Sequence, residues 1–270
     1  MIHLNTPNGF SVEVPENKDE DITPKFDVNL EREAAVKYYQ DNGYVIFSSC
    51  VSSEDCDQIR NLWEKSIKPY KGTIYRQTTA KAEKNLLNKN NWIMNPVLNI
   101  QSLNPYLFGD FRNSVDSKVF SNISICKALR SILGEKPKIV QSMYFEGNSA
   151  TWEHQDSYYL DSEKIGEMTA GWLALDEIKA DAGRFFICPE SHKIGHGKQN
   201  IDNNIAENHN KYISEVISII KSKNMKIKAP YMAIGDVLFW NSWTIHGSID
   251  SQNKNFSRPS ITMHAIPQSH

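Results

Sequence analysis

Five strand-like runs, at 138–145, 169–176, 183–188, 237–240 and 257–266, fill the second half of this chain, and turns or loops separate most of them. A doubly wound parallel sheet needs a crossover helix between successive strands, so this spacing argues against one and predicts an antiparallel barrel or sandwich. One interruption is helical. Ile213, Val216, Ile217 and Ile220 recur at i, i+3, i+4 and i+7, which predicts an amphipathic helix over 206–221, inside an insertion at 203–224 that packs against the barrel.

The first half reads as helices. One is expected over 31–40, stopped by Asn42-Gly43, with a short strand after it at 44–47. Ser52 and Ser53 offer N-cap hydroxyls to a second, whose apolar face carries Ile59, Leu62 and Trp63. A third is expected over 119–133, ending at Gly134. From 70 to 118 the chain is polar and punctuated by Asn95-Pro96 and Asn104-Pro105, which predicts a long loop of the functional or mobile kind. Residues 1–30 read as a charged, proline-punctuated arm that borrows its order from the body. No repeat or Gly/Ser-rich linker divides the rest, so 31–270 is expected to be a single domain.

Composition narrows the partners. Thirty Lys and Arg against 32 Asp and Glu leave a net charge of −2, which gives no electrostatic case for nucleic acid or an anionic membrane. No apolar run approaches the ~20 residues of a membrane span, and the first residues lack the basic and apolar regions of a secretory leader. A cytoplasmic protein with a small-molecule partner is expected. The four cysteines, Cys50, Cys56, Cys126 and Cys188, form no CxxC pair, so most are expected to be buried thiols.

The chemistry concentrates in two words, His154-Gln155-Asp156 and Thr244-Ile245-His246-Gly247-Ser248. Ligand-type residues at i and i+2 on extended backbone point to one side, so an imidazole and a carboxylate can grip one ion while a second imidazole arrives from a distant strand. Two histidines and one carboxylate on one face of an octahedral iron leave the other face open for a cosubstrate and dioxygen, whereas a structural zinc site is closed by four ligands. The tripeptide alone also fits a surface His and Asp flanking a glutamine. Arg258 stands twelve positions after His246 at the start of an expected strand, where its guanidinium could clamp a dicarboxylate's distal carboxyl group, and Ser248 shares the parity of His246.

With these words in place, the sequence resembles the phytanoyl-CoA dioxygenase (PhyH-like) family of Fe(II)- and 2-oxoglutarate-dependent oxygenases from about Gly43 to the C-terminus. The matching words are Asp41-Asn42-Gly43-Tyr44-Val45-Ile46, Trp152-Glu153-His154-Gln155-Asp156, Gly171-Trp172-Leu173-Ala174-Leu175-Asp176 and the run from Ala182 to Lys193. Gly235-Asp236-Val237-Leu238-Phe239-Trp240, His246-Gly247-Ser248 and Arg258 follow in order. The resemblance implies a mainly β fold with flanking helices, a cupin-like double-stranded β-helix or jelly roll braced by N-terminal helices. It also implies His154, Asp156 and His246 as iron ligands, Arg258 and Ser248 as holders of 2-oxoglutarate, and Trp172 and Gln141 as further cosubstrate-side candidates. Trp172 is equally readable as a core indole, and Gln141 as a sheet-edge hydrogen-bonding group. The family's Pro-Gly-Ser-His word appears here as Pro189-Glu190-Ser191-His192, a departure in a turn, with His192 structural.

The activity so implied is a hydroxylase using dioxygen and 2-oxoglutarate as cosubstrates and releasing succinate and carbon dioxide. Related iron halogenases replace the carboxylate with a small residue, so Asp156 favours hydroxylation, with desaturation, epoxidation and ring chemistry open to the same oxidant. Substrate walls are expected from Tyr144, Trp152, Tyr158, Arg184 and Trp243, with Tyr159, Trp240 and the 70–112 loop nearby; Lys71, Arg76 and Arg184 are candidates to pair an acidic group. The remaining histidines are read as solvated (His3, His196, His209, His270) or as a hydrogen-bonded core residue (His264). The rival from another class is a non-catalytic jelly-roll module that binds a metal or small ligand; a zinc hydrolase would show HExxH or HxHxDH, which this sequence lacks.

Overall fold

The computed structural model describes residues 1–147, 149–194, 205–253 and 255–270, with the side chains of 205–207 excepted. The chain opens with a hairpin of β1 (Ile2–Asn5) and β2 (Ser11–Val14), then β3 (Lys25–Phe26), α1 (Arg32–Asn42), β4 (Tyr44–Phe47) and α2 (Ser53–Leu62). A small hairpin, β5 (Ile74–Tyr75) and β6 (Ala82–Glu83), precedes β7 (Val97–Leu98), α3 (Pro105–Val115) and α4 (Ile123–Leu133). The rest runs β8 (Pro137–Phe145), β9 (Thr151–His154), β10 (Thr169–Ala174), β11 (Phe185–Ile187), α5 (Ile205–Ser222), β12 (Val237–Asn241), β13 (His246–Ser248) and β14 (Ser260–Pro267).

Among the described residues two sheets face each other: a large one ordered β3-β4-β12-β10-β14-β8-β7 and a small one ordered β11-β13-β9. All large-sheet pairings are antiparallel except β3 with β4. This is the expected double-stranded β-helix. Its central strands are buried on both faces, so alternation sorts their side chains into two cores. Tyr44, Ile46, Ala170, Trp172, Ala174, Leu238 and Trp240 point into the barrel toward Phe185 and Ile187 of the small sheet. Val45, Phe47, Leu173, Val237, Phe239, Ile261 and Met263 point outward, beneath Ile59 and Trp63 of α2 and its extension, Phe108 and Phe111 of α3, and Ile125 and Leu129 of α4. Each fully buried aliphatic or phenyl side chain contributes about 1.5–3 kcal/mol, so the helical layer is part of the fold and not an ornament on it.

Two local expectations need correction. The stretch from 70 to 118 is not a loop throughout. Asn104 accepts hydrogen bonds from the Tyr106 and Leu107 amides, and Pro105 occupies the first turn, so the pair that reads as loop punctuation starts α3. The helix expected from 119 begins at Ile123, where Asn122 accepts from the Ser124 and Ile125 amides. Within the N-terminal arm, β1 and β2 pair as a hairpin whose Val12 and Val14 pack on Phe186, Ala229 and Ile249 of the body. Of the insertion at 203–224, the first two residues lie outside the described ones, and α5 spans the rest to Ser222.

Candidate metal centre

β9 ends at His154, Gln155 continues extended (φ −116°, ψ 134°), and Asp156 opens a 3-10 turn, so the i, i+2 relation survives the end of the strand. β13 pairs antiparallel with β9 in a register that sets His246 directly opposite His154. The ligand atoms of His154, Asp156 and His246 lie within 4.8 Å of one another. Nε2 of His154 is 3.7 Å and Nε2 of His246 3.5 Å from Asp156 Oδ1.

Both imidazoles are oriented from behind. His154 Nδ1 donates to the Trp152 carbonyl at 2.8 Å and His246 Nδ1 to the Thr244 carbonyl at 2.9 Å. A proton fixed on each Nδ1 leaves the Nε2 lone pairs facing the gap, which is the arrangement a divalent metal requires. Burial pushes the His246 imidazole down to about 3 against the raising field of Asp156, so it stays neutral at ordinary pH. Burial alone would raise Asp156, but the positive field that the imidazoles of His246, His264 and His154 exert when protonated outweighs it and holds the carboxyl below its usual range. The donor set therefore fits a divalent ion.

Around this triad stand groups that the sequence reading missed or placed elsewhere. Trp240 Nε1 donates to Asp156 Oδ2 at 2.8 Å, and His264 Nε2 lies 3.5 Å from the same oxygen. His264 is thus beside the triad, as its shared parity with Arg258 allowed. From α5, Tyr212 Oη accepts from the Gln155 amide at 2.6 Å and donates to the Gln155 carbonyl at 3.2 Å, clasping the backbone between the two ligands of the His-Gln-Asp word. Gln155 Nε2 donates to the Trp243 carbonyl at 2.5 Å. The aliphatic stripe that predicts α5 passes beside Tyr212, but its hydroxyl partner is remote in sequence and leaves no local signal.

Arg258 is 3% exposed, its amide donates to the Glu146 carbonyl, and its guanidinium lies 5.6 Å from the ring centres of both Phe145 and Trp172. Burial lowers it to about 9. Trp172 is at once core and neighbour of Arg258, stacking on Phe185. Ser248 follows His246 on β13 and its Oγ accepts from the Thr151 amide at 3.0 Å. Gln141 lies opposite His264 in the β8–β14 register.

The substrate candidates divide. Trp152 is 44% exposed, edge-on to His209, and Tyr159, 41% exposed, shares a 2.8 Å hydrogen bond with His209 Nε2 and lies 5.8 Å from the His154 ring. Trp243 is half-buried against Gly166. Tyr144 is not brought to the site: it faces the helical layer and stacks on Trp63 at 3.9 Å, because Met143 and Phe145 take the inward parity of β8. Tyr158 stacks on Tyr212 at 3.8 Å under α5. Arg184 is buried and donates to the Pro15 and Ile178 carbonyls, which ties down the N-terminal segment. Arg76, also buried, donates to the Asn95 and Glu83 carbonyls and to Asn85. His270, expected in solvent, has a buried ring 3.5 Å from Glu167, and His209 is engaged as above; His196 lies outside the described residues.

Two imidazoles and a carboxylate gathered inside a double-stranded β-helix define a jelly-roll protein with a three-residue metal site. The phytanoyl-CoA dioxygenase (PhyH) family model matches residues 39–260, and the chain belongs to that family. It is 21% identical over 261 residues to the peroxisomal phytanoyl-CoA dioxygenase of Bos taurus, covering 84% of this chain and 66% of that protein. Across the curated relatives, the matches span from 28% to 66% of the relative's length. The non-heme alpha ketoglutarate dependent carbocyclase SnoK from nogalamycin biosynthesis shares the fold at a TM-score of 0.65 and 15% identity, covering 90% of this chain and 87% of that one. The epimerase SnoN, solved with Fe3+, alpha ketoglutarate and nogalamycin RO, does so at 0.62 and 13%, covering 88% and 84%.

Proposed function

We propose that this chain is an Fe(II)- and 2-oxoglutarate-dependent dioxygenase. It hydroxylates an unactivated C–H bond of a small polar or anionic metabolite, or of a natural-product intermediate, and releases succinate and carbon dioxide. The observation that carries this reading is the convergence of His154 Nε2, His246 Nε2 and Asp156 Oδ1 within a barrel that also buries Arg258. Family membership and the cofactors of SnoN supply the identity of the metal and cosubstrate.

His154, Asp156 and His246 would hold iron. Arg258 and Ser248 would bind the distal carboxylate of 2-oxoglutarate, with Trp172 as the wall on which both the guanidinium and the cosubstrate rest and Gln141 as a polar group on the same inner face. Iron(II), when bound, supplies the redox centre at which dioxygen is reduced, 2-oxoglutarate is oxidatively decarboxylated and the C–H bond is hydroxylated. The chain's own part is geometric. The Trp152 and Thr244 carbonyls fix both imidazoles, Asp156 keeps a carboxylate on the metal face, and apolar walls from Phe145, Trp172 and Phe185 exclude water. Tyr159, beside the His154 ring, is the aromatic group best placed to meet substrate, with Trp152 and Trp243 as further candidates.

The test is anaerobic titration with Fe(II) and 2-oxoglutarate, following the weak visible charge-transfer band. The band should form in the wild type and be lost or weakened in His154→Ala and Arg258→Ala; succinate release then screens substrates. Folded, metal-loaded protein without the band would leave a non-catalytic binding module as the better reading. We also propose a cytoplasmic location, with which four free cysteines are compatible. No described helix is long and apolar enough to cross a membrane.

A further inference from the structure

The two oxygens of Asp156 have different surroundings. Oδ1 faces the ligand imidazoles at 3.5 and 3.7 Å, whereas Oδ2 turns away to accept from Trp240 Nε1 at 2.8 Å, with His264 Nε2 3.5 Å from it. Trp240 is well placed to be a fixed donor. It sits on β12 between β4 and β10, is 2% exposed, and its ring packs on Phe185 and His246 with centroids 4.8 Å away in each case. An indole N–H donates only and has no lone pair for a metal, so it can compete with a cation for Oδ2 but never replace the carboxylate as a ligand.

A carboxylate can bind a cation through one oxygen or through both, and partners outside the ligand set decide which by what they do to the second oxygen. We propose that Trp240, assisted by His264, is a positioning residue for Asp156: it engages Oδ2 so that the carboxylate reaches the metal through Oδ1 alone. A two-oxygen grip would cover one more coordination position, which a cosubstrate and dioxygen would otherwise use. Trp240 thus sets how many positions the protein itself occupies. The inference rests on the metal-site reading above and concerns the geometry of that site alone.

Cobalt(II) is the probe, because its visible ligand-field band reports coordination number without turnover. Trp240→Phe keeps a ring and removes the donor; incorporation of 3-benzothienylalanine at position 240 keeps the indole's shape and exchanges only N–H for sulfur, and decides the matter if the phenylalanine variant does not fold. In both, the band should change intensity as Oδ2 becomes free to join the coordination shell, and the cobalt Kd should shift by about 10- to 100-fold. His264→Leu should add a smaller effect that His264→Gln, which retains an N–H, restores. A benzothienylalanine protein that binds cobalt with the wild-type Kd and band overturns the proposal while leaving the metal site intact. A wild-type protein that binds neither cobalt nor Fe(II) overturns the metal-site reading itself, and this proposal with it.

Discussion

Glu190 holds a backbone conformation that suits glycine. Its φ is +66°, in the turn that carries the chain from β11 into the short helical turn at Ser191–Ile194, and its amide donates to the Asn42 carbonyl. The left-handed region costs an ordinary residue roughly 1–2 kcal/mol, while glycine gives back roughly 0.5–1 kcal/mol through its freer unfolded chain. Glu190→Gly should therefore stabilise by up to ~1 kcal/mol and raise the melting midpoint by about 2–4 °C; a fall would show that the exposed pair with Lys193 and the side chain's packing outweigh the strain. Gly247 is the opposite case. A Cβ there would stand 2.5 Å from the Thr151 carbonyl oxygen and 2.6 Å from the Phe186 ring. Backbone cannot step aside without parting β9 from β13, the pairing that sets His154 against His246. Gly247→Ala should cost about 1–3 kcal/mol and weaken metal binding together with stability, measured by denaturant unfolding and metal titration. Unaltered metal affinity would mean that the two strands hold the ligands independently.

At the scale of elements, α5 illustrates what periodicity reveals and what it hides. The i, i+3, i+4, i+7 pattern locates the helix, and Val216 and Ile220 are buried beneath it as expected. Its tie to the metal site was illegible, because a hydroxyl that bonds the backbone of a remote residue is a fact of tertiary register. Tyr212→Phe keeps the stack on Tyr158 but leaves the buried Gln155 amide without its acceptor, a loss of about 1–3 kcal/mol. The variant should unfold at lower denaturant and hold cobalt less tightly; weaker stability with unchanged metal affinity would confine Tyr212 to packing. The same contrast runs through the site. His154, Asp156 and His246 were legible because short words carry their chemistry. Trp240 and His264 reach Asp156 from two separate strands of the large sheet, and only the parity of His264 hinted at it. Asn104-Pro105 was ambiguous for another reason: Asn and Pro favour turns and helix starts alike, and only the burial of Phe108, Phe111 and Val115 settles which.

For the molecule as a whole, the N-terminal hairpin packs against the small sheet. Thr6 Oγ1 and Asn8 Nδ2 donate to the buried carboxylate of Glu153, the residue before the ligand His154, and Pro15 receives Arg184. Further along, Lys25 pairs with Asp236, whose carboxylate also accepts from the Ser49 and Ala233 amides. Removing residues 1–14 would bare the apolar surface under Val12 and Val14, each worth about 1.5–3 kcal/mol, and strand Glu153 without donors. The truncated protein should lose several kcal/mol from a total on the order of 5–15, seen as a lower unfolding midpoint, and retain metal poorly. A truncation as stable as the full chain would make the hairpin a detachable arm, against the expectation from composition that it borrows its order from the body. The hydroxyl of Tyr212 carries a practical corollary for anyone redesigning this scaffold. Exchanging the 205–222 segment to admit new molecules would alter metal retention in the same step, so a library meant to change selectivity alone should hold Tyr212 constant and diversify Trp152, Tyr159 and His209 at the rim.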